Sequence, residues 1–126
     1  MRNIIKFLVL LTFVFQTTLA FGNKLRIMPP TERISNSSLI VIGRVLQVDK
    51  KIKQGMWTNK FAVISVTDVL KGESDAEVNV EYEGPIAELN PQCCEVGRSY
   101  IFFLRRVDGY IFVPVNGPFG IRELVR

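Results

Sequence analysis

The chain has 126 residues, 16 basic and 12 acidic side chains, no histidine and a formal charge of +4. Without imidazole, Ser/His and Cys/His nucleophile pairs are excluded, and no histidine can complete a metal shell. The charge excess is small and partly carried by Arg2 and Lys6 at the extreme N-terminus, so it is a weak argument for nucleic acid, which is not the expected partner.

Arg2 and Lys6 precede an apolar run from Phe7 to Phe15, broken by Thr12, and Thr18-Leu19-Ala20 offers a cleavage site after Ala20. This is the three-part pattern of a secretory signal peptide over residues 1–20. The run is shorter than the ~20 residues a spanning helix needs, so no stable membrane span is expected after cleavage. No cysteine follows the cut, which closes the lipid-anchored route. A secreted or periplasmic location follows. The remainder suffices for one domain with a single core.

Residues 21–35 read as a lead-in. Pro29-Pro30 forbids regular structure just before it and can open a short helical turn over Thr31 to Ser35. Asn36-Ser37-Ser38 fits the glycosylation pattern, a match short enough to arise by chance. The domain proper spans 36–126. Leu39 to Val48 is apolar on both faces at its start, as in a strand buried on two sides, and Gly43 marks a bend or a close backbone approach. Lys50, Lys51, Lys53 and Lys60 follow in what reads as a solvated loop.

Lys60 to Gly72 is the second strand. Glu77 to Gly84 is the third and alternates cleanly: Val78, Val80 and Tyr82 against Asn79, Glu81 and Glu83. Pro85 to Pro91 connects it to the fourth, Arg98 to Val107. Asp108-Gly109 then turns into the fifth, Tyr110 to Val115, where Pro114 should sit at an edge or strand end. Five strands without a three-turn amphipathic helix predict an all-β protein. Closing them into a small barrel buries one face of each and removes exposed edges, whereas a sandwich usually needs about seven strands.

The stretches "SSLIVIGRVLQVDK", "FAVISVTDVLKG", "CCEVGRSYIFFL" and "GPFGIREL", in that order over roughly residues 35–125, resemble the tissue-inhibitor-of-metalloproteinases-like and netrin-module-like proteins. The likeness is closest to their short exported bacterial members. It implies a five-stranded OB-type Greek-key barrel. The animal inhibitors chelate the protease zinc through a mature N-terminal cysteine; here the expected mature end is Phe21, with no cysteine near. The resemblance therefore implies a fold and an exported location, not an activity. In such relatives the cysteine before Glu-Val-Gly often pairs with one further along, and this chain has none.

Cys93 and Cys94 are the only cysteines. A disulfide prefers Cα atoms about 4.4–6.8 Å apart, and neighbours across a trans peptide sit about 3.8 Å apart, so a ring between them is an uncommon arrangement. Four readings stand open: free thiols, a disulfide-linked dimer, a vicinal ring with a redox role, and a soft-metal site. Arg98 is the one positive group close in sequence that would activate a thiol.

The carboxylate pairs Glu73/Asp75 and Glu81/Glu83 suit acid–base work, yet a solvated strand face explains the latter fully. Tyr100, Phe102, Phe103, Tyr110 and Phe112 would stack bases or sugars if exposed, but strand alternation sends half of them to the core. The expected function is a non-enzymatic binding module without cofactor. It would contact an unidentified protein or envelope component through Trp57, Lys53, Lys60 and the Pro85–Cys94 segment. The alternatives are an oligosaccharide- or nucleic-acid-binding barrel and a thiol-active envelope protein using Cys93 and Cys94.

Overall fold

Alternation decides which side of each strand meets the core. Val41 and Val45, Ala62 and Ile64, Val78 and Val80, and Tyr100, Phe102 and Leu104 all bury inward, and Phe112 and Ile121 join them. Each buried Val, Leu, Ile or Phe side chain among them contributes about 1.5–3 kcal/mol by leaving water. The computed structural model describes residues 26–54, 57–109 and 111–125, and for Gln54, Trp57 and Thr58 the backbone alone. The expected leader, residues 1–20, lies outside them.

The strands are β1 (Leu39–Gln54), β2 (Trp57–Lys71), β3 (Glu77–Glu83), β4 (Ser99–Asp108), β5 (Ile111–Pro114) and β6 (Ile121–Glu123). They form one sheet in the order β1-β2-β3-β5-β4-β6, and β1 also pairs with β4. Five strands thus curl into a partly closed ring. All junctions are antiparallel except β3–β5, which is parallel and holds just two residue pairs, Asn79 with Ile111 and Val80 with Phe112.

Such a tight ring requires β1 to bend between two partners. Its pairing with β2 slips at four places, including between Ile42 and Gly43. Gly43 sits where the two backbones close in: a Cβ there would overlap Ile64 Cγ2 and lie 2.9 Å from the Ser65 carbonyl oxygen. The expected close approach is therefore real. A seven-residue helix, α1 (Pro30–Asn36), starts with proline at its first turn. It leans on the ring's outside: the Arg33 guanidinium lies 5.4 Å from the Phe103 ring centre, and Ser38 N–H donates to the Leu104 carbonyl at 2.9 Å.

Two expectations need correction. The Lys50–Lys60 segment is not a loop: β1 runs to Gln54 and β2 begins at Trp57, with Lys51 opposite Lys60 and Lys53 opposite Thr58. Lys51 and Lys53 reach water there, whereas Lys50 and Lys60 are half-buried and meet Asn79 and Glu83 of β3. And the strands number six among the described residues, since Ile121–Glu123 pairs with Tyr100–Phe102 of β4. The fifth strand ends at Pro114, as its missing N–H requires. No described helix is long and apolar enough to cross a membrane.

Candidate functional site

The connection from β3 to β4 does not lie flat on the ring. Asn90 Oδ1 accepts from the Gly84 N–H at 3.0 Å, closing the first half of the connection into an arch, and Ala87–Leu89 forms a 3₁₀ turn within it. The arch leaves a groove of about 420 Å³ against β3 and β5. Tyr82, Pro85, Ile86, Leu89, Pro91, Val113 and Pro114 give it an apolar lining, and Glu81, Asn90, Arg105 and Asn116 supply polar groups. Ile86 and Leu89 remain 53% and 45% exposed, and what sets them apart from the other exposed aliphatics is that both line one apolar groove.

Glu81 is the half-buried carboxyl of this groove. Asn59 Nδ2 donates to its Oε1 at 3.0 Å, and burial raises its pKa above the ordinary carboxylate value. Asn116, at the opposite edge, holds a left-handed backbone (φ 65°). Its side chain clasps the lead-in, accepting from the Met28 N–H and donating to the Arg26 carbonyl, both at 2.8 Å.

Beside the groove, β3 shares a polar cluster with the β1–β2 ribbon. Lys60 Nζ lies 3.2 Å from Glu83 and 3.9 Å from Asp49. The Tyr82 hydroxyl donates to Asp49 Oδ1 at 2.6 Å, and its pKa is pushed up to about 12, first by burial and then by that bond. Of the expected contact residues, Lys60 is thus brought next to the Pro85–Cys94 segment through Glu83 and its neighbours. Lys53 stays exposed on the projecting ribbon. Trp57 pairs with Gln54 through the backbone, and its side chain lies outside the described residues. The groove itself was missed in sequence; the spacing of Ile86 and Leu89, two aliphatics between Pro85 and Pro91, is the signal it leaves there.

Cys93 and Cys94 form a disulfide with each other across a cis peptide bond, and both pack half-buried against the core. The adjacent pair is bonded within one chain and is not a dimer link, and among the described residues no cysteine is free. Arg98, the expected thiol activator, is engaged instead with Glu95 at 2.9 Å and Glu123 at 3.0 Å. The chain around the pair is pinned by the Tyr100 hydroxyl, which accepts from the Glu95 N–H at 3.0 Å.

Three of the five aromatic candidates, Tyr100, Phe102 and Phe112, are buried in the ring, and Phe103 lies under Arg33. Tyr110 is outside the described residues. Among the described residues no group of three His, Cys, Asp or Glu side chains is arranged to hold a metal ion. Comparison with protein-family models, with curated proteins and with solved structures finds no match to this chain.

Proposed function

We propose that the chain is an exported OB-type barrel, similar to the netrin-module-like proteins, that acts as a non-enzymatic module binding another protein. The strand order β1-β2-β3-β5-β4, returning to β1, supports the OB-type reading. The observation that carries the binding role is the groove under the Pro85–Pro91 arch, where Ile86 and Leu89 stand exposed above an apolar floor. Leaving two aliphatic side chains in water costs free energy that docking would recover. A protein fits this site better than a stack of bases or sugars, because Tyr100, Phe102 and Phe112 are spent on the core.

A photo-crosslinking residue in place of Leu89, in the chain expressed with its full N-terminus, tests the reading. One discrete polypeptide should be captured from position 89 and not from Thr67, an exposed site on β2. Ile86→Asp should abolish capture while circular dichroism and melting stay unchanged. Absence of any polypeptide adduct, or equal labelling from both positions, overturns the proposal.

A further inference from the structure

The docking role proposed for the groove leaves open what the groove selects, and the register of its floor addresses that. β3 and β5 run parallel with Val80 opposite Phe112, so the next step sets Glu81 level with Val113. Antiparallel β4 sets Arg105 opposite Val113. Val80, Phe112 and Leu104 bury inward, which turns Glu81, Val113 and Arg105 to the outer face, and all three line the groove. One rung across three strands therefore reads acidic, apolar, basic. Two strand spacings, about 10 Å, separate its charged ends.

Among the described residues Glu81 and Arg105 enter no ion pair, and Glu81 Oε1 accepts from the neutral amide of Asn59. A carboxylate drawn out of water beside Tyr82 and Val113 is costly until a cation meets it. The burial that raises the Glu81 pKa is this same penalty. Arg105, more exposed, offers a planar fork suited to a carboxylate.

We propose, resting on the docking role above, that the groove recognises an extended segment of a partner protein carrying a basic side chain for Glu81 and an acidic one for Arg105, with aliphatic neighbours against Ile86 and Leu89. On an extended chain, residues two apart point the same way about 6.8 Å from each other. Long side chains at such positions span the remaining distance to the two ends of the rung. The segment's own charges cancel, so selection rests on their placement and not on net charge.

Capped pentapeptides test this against the full-length protein by NMR titration. Ile-Lys-Ala-Glu-Ile should bind about tenfold more tightly than Ile-Gln-Ala-Gln-Ile, the gain expected from charge-assisted hydrogen bonds. Glu81→Gln and Arg105→Gln should each remove most of that gap, and added salt should narrow it. Equal affinities, or no binding of the charged peptide, overturn the inference. The crosslink from position 89 separates the two levels of the argument. Capture that persists unchanged in Glu81→Gln and Arg105→Gln keeps the docking role and rejects the charge pattern; no capture rejects the docking role itself. Capture of a second copy of this chain also overturns the inference.

Discussion

Tyr82 and Asp49 hold each other twice: the Tyr82 hydroxyl donates to Asp49 Oδ1 at 2.6 Å and accepts from the Asp49 backbone N–H at 3.0 Å. Asp49 has a left-handed φ of 62°, so the clasp fixes the point where β1 turns from the ring into its projecting ribbon. Tyr82→Phe should cost about 1 kcal/mol at neutral pH by denaturant titration. The phenol pKa, raised from 10.0 to about 12, adds a pH signature. A group whose folded pKa is raised gives stability that is complete below the unfolded value and is lost as pH climbs toward the folded one. The wild type should therefore weaken from pH 10 upward, and Tyr82→Phe should weaken less steeply there.

Glu81 gives a second pH dependence at the acid end. Its folded pKa is raised by burial above the model-peptide value of 4.5. Its contribution is thus complete below that value and fades as pH rises through the folded pKa. Glu81→Gln should gain on the wild type as pH increases from about 4 to 7. Denaturation midpoints of the two proteins that run parallel over this range would contradict the assignment.

Gly43 is replaced only at a cost. An added methyl meets Ile64 Cγ2 and the fixed Ser65 carbonyl, and the latter cannot move without parting β1 from β2. Gly43→Ala should destabilise by about 1–3 kcal/mol, the usual range for overpacking. Thermal melts of the purified variant would show it directly.

The Cys93–Cys94 disulfide joins neighbours in sequence and so encloses no length of chain. The loop-closure term that gives a 15-residue disulfide loop about 3 kcal/mol is absent. Cys93→Ala combined with Cys94→Ala should lose only the packing of two half-buried side chains. On a non-reducing gel the wild type should run as a monomer. Intact mass should accept two alkyl groups after reduction and none before.

Much of the ring was legible in the sequence. The start of β1 at Leu39 and the limits of β3 lie where β-branched alternation and Gly84 put them, because local pattern and tertiary burial agree there. The ends that failed share a cause. Lys50 to Gln54 is too charged to read as a strand, yet backbone pairing with Trp57–Lys60 needs no run of apolar side chains to form. Ile121–Glu123 is too short to signal itself and exists because β4 offers it an edge. The charged rung was illegible for a deeper reason: Glu81, Arg105 and Val113 come from three strands, and only the parallel β3–β5 register aligns them.

That parallel junction has a further consequence. With two residue pairs it is the shortest zip in the ring, and the groove lies directly astride it. Breathing of the closed ring should begin at this seam, and the amide protons shared between β3 and β5 should exchange ahead of those in the β1–β2 and β2–β3 ladders. A guest gripping both banks would act as a suture, so occupancy at one surface crease would quiet the motion of the entire circle.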